Sequence, residues 1–271
     1  MGWRSCVQGE EEALLAYVAK EPEVNLFISG DLLSFGLDGR HVRIQGYGKN
    51  GKLAGVLLRY MDRNYVFYTA EKDFPFQDIA DLIKSENPTL EGVCLSGKAE
   101  IIAPVQPFLK PLTLENTMMA RANAASFKKV SAATYAGLRP LGSKEDFEAL
   151  EELQSTIQEF SSSKRSRQEV VDGFLAAHHR GALAYGVYVN GLLVSAASTT
   201  ADTKESSMLV GVCTREGYRN KGYASLVVSQ LLKACFARGE SFVSLFYDNP
   251  LAGKIYHSFG FKDIAPYAML H

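Results

Sequence analysis

The sequence predicts an α/β protein made of two similar units, each a twisted mixed sheet flanked by helices. Two observations support this fold class. Predicted strands and helices follow one another in a similar order in both halves of the chain. The segments GYGKNGKL from Gly46 and GVYVNGLL from Gly186 also share Gly, Asn, Gly and Leu at the same places, at a constant offset of 140 residues. We therefore expect a tandem repeat with domains at residues 1–125 and 126–271.

In the first half, apolar residues at helical spacing predict a helix over residues 9–21, which Pro22 ends. Alternating residues predict strands over 42–47 and 53–60, joined by Asn50-Gly51, a dipeptide typical of tight hairpins. A strand at 65–68, a helix at 76–84, a strand at 93–95 and a Pro-rich irregular stretch should follow. Several side chains of this half either line a cleft or belong to the core and its rim: Asn25, Asp31, Tyr60, Tyr65, Phe67 and Tyr68.

In the second half, Ser143 as N-cap, with Asp146 three residues later as in a weaker form of the capping box, predicts a helix from Lys144 to about residue 160. Asn190-Gly191 predicts a second hairpin. The remaining expected elements are strands at 136–141, 182–189, 192–198, 208–213 and 242–246, helices at 168–179, 224–237 and 251–258, and a final strand. Pro250 suits the first turn of the last helix and Gly260 its C-terminal cap.

The segment VGVCTREGYRNKGYA, residues 210–224, runs from an apolar strand through a glycine-containing turn into a helix. A helix N-terminus presents unpaired N–H groups and the positive end of the helix dipole, and both favour an anion. Gly222 would let a ligand approach the backbone closely. The turn from Arg219 to Ala224 is therefore predicted to bind phosphate.

Another glycine pattern carries no such prediction. Residues 46–51 fit G-x-G-x-x-G, which in dinucleotide-binding proteins is followed directly by a helix. Here residues 53–60 continue as a strand, so this interpretation is rejected.

Composition sets limits on partners and location. The 271 residues are 46% hydrophobic and carry a net charge of −1, so no overall field favours nucleic acid or an anionic membrane surface. Glu10, Glu11 and Glu12 stand where a secretory signal would need an apolar run, and no long apolar segment occurs. We expect a cytoplasmic protein. Four well-separated cysteines predict reduced thiols rather than a zinc site: Cys6, Cys94, Cys213 and Cys235.

Two motifs of the second half resemble signatures of the GNAT superfamily of acyl-CoA N-acyltransferases. The pattern Q/R-x-x-G-x-G/A matches Arg219, Gly222 and Ala224. It follows a strand that ends, as in the family, in V-x-T: Val212, Cys213 and Thr214. The second pattern, N-x-x-A-x-x-x-Y-x-x-x-G-F, matches Asn249, Ala252, Tyr256, Gly260 and Phe261. The resemblance covers about residues 130–271, and the first half resembles a degenerate copy that lacks both motifs.

The resemblance implies an acetyl-CoA-dependent N-acetyltransferase with one cofactor site per chain and no metal. In such enzymes the strand before the turn pairs with the pantetheine arm, and the turn binds the pyrophosphate. The residues expected at acetyl-CoA are Val210, Val212, Cys213, Thr214, Arg219, Asn220, Lys221, Gly222, Tyr223, Ala224, Asn249, Ala252 and Tyr256. Tyr256 is also expected to donate a proton to the departing CoA thiolate, although an aromatic core residue would fit the same position.

The general base is not assigned. An amine attacks a thioester only in its neutral form, so some group or water chain must take its proton. The strand 208–213 carries no carboxylate, and the flanking Glu205 and Glu216 are expected as solvated loop residues. The loop from Ser161 to Arg167, with Lys164 and Arg165, either borders the acceptor site or forms a solvated surface.

Three functions follow as hypotheses. The first is transfer of an acetyl group from acetyl-CoA to a primary amine of a small molecule, amino acid or peptide, by direct attack in a ternary complex. The alternatives are a non-catalytic CoA-binding or sensory module, and a structural or dimerising protein that keeps the fold without a ligand. The acyl chain, the acceptor and the oligomeric state are left open.

Overall fold

The computed structural model describes residues 2–37, 39, 41–61, 63–128, 135–160 and 165–271. The described strands are β1 Gly2–Ser5, β2 Val42–Lys49, β3 Lys52–Tyr60, β4 Asn64–Tyr68, β5 Cys94–Lys98, β6 Leu114–Ala122, β7 Leu138–Pro140, β8 Ala184–Val189, β9 Leu192–Thr200, β10 Ser206–Thr214, β11 Phe242–Tyr247 and β12 Lys262–Leu270. The helices are α1 Glu11–Val18, α2 Leu26–Phe35, α3 Phe76–Glu86, α4 Ala99–Ile102, α5 Lys144–Ser155, α6 Arg167–His179, α7 Tyr223–Ala237 and α8 Pro250–Ser258. Short 3₁₀ helices cover Ala103–Phe108, Gln158–Phe160 and Glu216–Tyr218.

The first compact unit comprises Met1–Ala120, Phe246–Asp248 and Asp263–His271. Its strand order is β1-β2-β3-β4-β5-β12-β6, with β4 and β5 parallel and β12 antiparallel to β5. The sheet is therefore mixed, as predicted. Tyr65, Phe67 and Tyr68 are each 1% exposed, so these aromatic side chains form core and do not line a cleft.

The second compact unit comprises Arg121–Leu245 and Asn249–Lys262. Its strand order is β7-β8-β9-β10-β11, antiparallel except for the parallel pair β10 and β11. Its core joins α5 to the sheet through Phe147, Leu150 and Leu153, with Ala196 and Cys213. Ser143 and Asp146 form the predicted capping box at the start of α5, each accepting a bond from the other's backbone N–H at 3.2 Å.

The two hairpins match residue by residue, which supports the predicted repeat. Asn50 and Asn190 have φ of 52° and 51°, and the glycine after each is also left-handed, as a two-residue type I′ turn requires. A bulge lies between Tyr47 and Gly48 in one hairpin and between Val187 and Tyr188 in the other. Both bulges therefore occupy the same place at the 140-residue offset that the sequence shows.

The compact units differ from the predicted domains at the end of the chain. The final strand β12 pairs with β5, from Tyr267 opposite Lys98 to Leu270 opposite Leu95, and Ala268 and Leu270 pack in the first core. Residues 263–271 thus belong to the first unit and not with the rest of 126–271. The predicted irregular stretch also contains α4 and a 3₁₀ helix, while α2 and β6 had no sequence prediction.

Candidate acetyl-CoA site

The parallel strands β10 and β11 part within the second unit. Their pairing runs from Ser206 opposite Phe242 to Met208 opposite Ser244 and then ends, although β10 continues to Thr214 and β11 to Leu245 within this unit. Val210 and Val212 are half-buried, unlike Met208 and Leu209 before them. The strand backbone beyond the last pair can therefore accept a ligand in place of a neighbouring strand.

A β-bulge interrupts β10 at this opening. Val210 lies opposite Ser198 and Cys213 opposite Ala196, so Gly211 and Val212 together face one residue of β9. Gly211 has φ +64°. An added Cβ there would lie 3.0 Å from the Gln154 amide nitrogen, so the glycine allows both the bulge and the close approach of α5.

Hydrogen bonds from Ser195 of β9 hold Cys213 and Thr214, the last two residues of β10. The Ser195 hydroxyl donates to the Cys213 carbonyl at 2.8 Å and lies 2.9 Å from the Thr214 hydroxyl. Burial raises the pKa of the Cys213 thiol to about 12. This thiol therefore stays protonated at neutral pH and is not a nucleophile there.

The turn between β10 and α7 has the backbone of an anion site. Asn220 and Gly222 have φ of 61° and 80°, so two residues of the turn are left-handed. Leu226 donates the first helical bond to the Gly222 carbonyl at 3.0 Å, and no side chain caps the helix. The N–H groups of Gly222, Tyr223 and Ala224 precede that bond, so these donors and the positive end of the helix dipole favour an anion at the turn.

Arg219 and Lys221 do not extend into the turn. The Arg219 Nε donates to the Thr214 carbonyl at 3.2 Å, and the Lys221 ammonium donates to the Gly217 carbonyl at 3.2 Å. Both side chains are exposed. Arg219 thus closes the turn onto the end of β10, while Lys221 adds positive charge beside it.

The second motif lies at the end of β11 and along α8. Asn249 caps α8, its Oδ1 accepting from the Leu251 N–H at 2.8 Å, and Pro250 occupies the first helical position as predicted. This bond uses the amide oxygen and leaves the amide nitrogen for a donor contact. Ala252 is half-buried in the first turn of the same helix.

Tyr256 lies on α8, edge-on to Phe261 at a ring-centroid distance of 5.9 Å. It is half-buried, and burial raises the pKa of its phenol above the ordinary value of 10.0. Gly260 closes the helix with φ +95°, and an added Cβ would lie 1.8 Å from the Ser126 carbonyl oxygen. Gly260 therefore fixes the end of α8 by a close backbone contact. Because its pKa is raised, the Tyr256 phenol stays protonated through neutral pH.

The two carboxylates that flank β10 are both exposed. Glu205 precedes the first residue of the strand, roughly 30 Å from the turn at about 3.3 Å per strand residue. Glu216 opens the 3₁₀ helix, and its carbonyl accepts from the Arg219 N–H at 3.1 Å. Neither gains a role as general base. Of the loop from Ser161 to Arg167, residues 161–164 lie outside the described residues.

The corresponding strand-to-helix turn of the first unit is built differently. Helix α3 begins after Pro75, which has no N–H to offer an anion, where α7 begins after Gly222. Phe74 is 6% exposed and packs against Tyr47 and Phe67 at 4.8 and 5.2 Å. The buried Phe74 side chain therefore lies at the position where the second unit has a polar turn.

In the part of the chain that the structure describes, no group of three or more His, Cys, Asp or Glu side chains could hold a metal ion. Among the same residues, no helix has the length and apolar character needed to cross a bilayer.

Comparison with known proteins identifies the family of this chain. The model of the GNAT acetyltransferase family matches residues 113–270. The chain belongs to that family. No curated protein matches it.

Solved structures agree over nearly the whole length. A Drosophila protein matches with a TM-score of 0.74 at 12% identity, covering 99% of this chain and 97% of the other. A GCN5-related N-acetyltransferase from Sphaerobacter thermophilus gives 0.68 at 12% identity, covering 99% and 94%. A tandem GNAT protein from the clavulanic acid biosynthesis pathway gives 0.65 at 11% identity, covering 99% and 97%. At these identities the matches show the fold, which confirms the predicted tandem α/β architecture.

Proposed function

We propose that the protein is an N-acetyltransferase that moves the acetyl group of acetyl-CoA to a primary amine in a ternary complex. The observation that carries this proposal is the continuous arrangement of an opened strand pair, a bulged β10 and an uncapped α7 N-terminus. Pantetheine is a chain of amides that needs backbone partners, and a diphosphate needs N–H donors. The second unit offers both, in that order along the chain.

The residues divide between these two parts of the ligand. Backbone groups of Val210, Val212 and their neighbours bind the pantetheine arm, and N–H groups from Gly222 to Ala224 bind the diphosphate. Arg219 holds the turn in shape, and Lys221 contributes charge. Asn249 donates a side-chain amide N–H to the pantetheine, and Ala252 leaves room beside it.

The chemical step is direct attack. The amine lone pair attacks the thioester carbonyl carbon, the C–S bond breaks, and Tyr256 donates its proton to the departing thiolate. The amine's surplus proton passes to a base that is not identified. Burial of the Cys213 thiol, with its pKa raised to about 12, argues against a covalent acyl-enzyme at that residue.

A titration combined with a thiol assay tests the proposal. Acetyl-CoA should bind the full chain, and free CoA thiol should appear when a panel of small amines, amino acids and peptides is added. Binding without thiol release across the panel would favour a non-catalytic CoA-binding module. Absence of binding would overturn both functions and leave a structural role.

A further inference from the structure

Three tyrosine rings stand beside the phosphate turn of the second unit. Tyr218 ends the 3₁₀ helix before the turn, Tyr223 is the first residue of α7, and Tyr135 precedes β7. The ring centroids of Tyr135 and Tyr223 are 5.5 Å apart, and those of Tyr218 and Tyr223 are 6.4 Å apart. These residues form what we call the tyrosine cluster. All three residues are half-buried.

Local contacts hold the cluster in place. A hydrogen bond between the Tyr135 and Tyr223 hydroxyls raises the pKa of Tyr135. The Tyr218 N–H donates to the Arg215 carbonyl at 2.9 Å, which closes the 3₁₀ turn that carries this residue. The Lys221 ammonium lies 5.1 Å from the Tyr218 ring centroid and covers one of its faces. The rings are therefore positioned before any ligand binds.

The position of the cluster relative to the turn indicates which part of CoA it meets. The pantetheine arm would leave the diphosphate toward β10, where the strands part beyond Met208. The other substituent of the diphosphate, the adenosine, must leave in a different direction, past the side chains of the turn and of the first helical residue. Two of those side chains are Tyr218 and Tyr223. A planar base beside aromatic rings is stabilised by stacking.

We propose that the tyrosine cluster is the binding site for the adenine base of CoA. This assignment rests on the proposed function, because it requires the diphosphate to bind at Gly222 to Ala224. Neither motif of the sequence includes Tyr135 or Tyr218. The cluster gives the chain a preference for the complete cofactor over forms that lack the nucleotide.

Two double variants and two ligands test the proposal. Tyr135→Leu with Tyr218→Leu removes two rings, while Tyr135→Phe with Tyr218→Phe keeps the rings and removes the hydroxyls. Each full-length protein is titrated with CoA and with 4′-phosphopantetheine, which lacks the adenosine. We expect the leucine variant to bind CoA at least about fivefold more weakly, the lower end of base stacking on an aromatic ring. Its affinity for 4′-phosphopantetheine should stay within about twofold, and the phenylalanine variant should retain most of its CoA affinity.

The outcomes separate the two proposals. Equal weakening of both ligands in the leucine variant would mean a damaged turn, and unchanged CoA affinity would mean that the rings do not touch the base. Either result overturns the tyrosine cluster as adenine site while CoA binding itself stands. If the wild-type chain binds neither ligand, the proposed function fails first.

Discussion

Met208 lies opposite Ser244 at the last paired position of β10 and β11, and β10 continues beyond this pair to Thr214. The first unit has the same arrangement, because β4 and β5 pair only from Asn64 opposite Cys94 to Val66 opposite Ser96. The opened strand pair is therefore a property of the repeated fold. What distinguishes the second unit is the turn that follows, with Gly222 where the first unit has Pro75.

Replacing Gly222 by valine should weaken acetyl-CoA binding by roughly tenfold or more, about 1.4 kcal/mol, because a side chain at φ +80° is strained and would stand against the ligand. Gly239 provides a matched control at the other end of α7. It has φ +89° and, like Gly222, open space around an added Cβ. Gly239→Val should lower the unfolding temperature similarly and leave the affinity unchanged. Equal loss of affinity in both variants would contradict a local role for Gly222.

Asn249 has two separable roles, and two substitutions distinguish them. Asn249→Ala should lower the free energy of unfolding by about 1 kcal/mol, since it removes the cap on the Leu251 N–H, and should also weaken acetyl-CoA binding. Asn249→Asp keeps an oxygen for the cap but has no donor, so it should retain stability and still lose affinity. Chemical denaturation and calorimetric titration measure the two effects. Full acetyl-CoA affinity in the aspartate variant would show that the amide nitrogen makes no contact with the ligand.

Tyr256→Phe should reduce kcat by about 10²-fold or more while the Kd for acetyl-CoA stays nearly constant, because only proton donation is removed. The raised pKa of Tyr256 has a definite sign. A general acid works in its protonated form, so the wild-type kcat should persist to a pH above the ordinary phenol value and fall only beyond it. Tyr47→Phe is the control, because its hydroxyl donates to Asp78 within the first unit. Unchanged turnover in Tyr256→Phe, with CoA still bound, would remove Tyr256 from the mechanism.

The local parts of this structure could be predicted because they depend on neighbouring residues. Asn50-Gly51, Asn190-Gly191 and the Ser143 cap each specify a backbone shape within a few residues, and all three are as expected. Helix α2 gave no clear signal because its apolar residues are spread around the helix, with Gly30 among the buried positions. Such a segment lacks the periodic stripe that identifies a surface helix.

The parts that depend on distant pairing were not predictable. The partner of β12 is β5, more than a hundred residues away in sequence. The alternation of apolar and polar residues in β12 does not identify the strand that pairs with it. In the site, both motifs located the turn and α8. The approach of Tyr135 to Tyr223 depends on tertiary packing, and no local pattern marks it.

Asp146 should make the stability of the second unit depend on acid pH. Its carboxylate accepts from Arg139 at 2.6 Å and from Tyr188 at 3.0 Å as well as from the capped backbone, and these bonds hold its pKa well below the usual range. A lowered carboxyl pKa stabilises the fold above the unfolded value of about 3.9, and this contribution is lost as the pH falls below it. Asp146→Asn should lower the unfolding free energy at pH 7 by about 1–3 kcal/mol and flatten its decline below pH 4. An equally steep acid decline in the variant would assign the effect to other carboxylates.

We propose that each chain holds one acetyl-CoA, bound entirely by the second unit, and a crystal structure of the protein with acetyl-CoA is the decisive measurement. We expect a single ligand per chain, with its diphosphate at the N–H groups of Gly222, Tyr223 and Ala224 and its pantetheine beside Val210 and Val212. A diphosphate bound elsewhere, or a second molecule at the turn before α3, would contradict it.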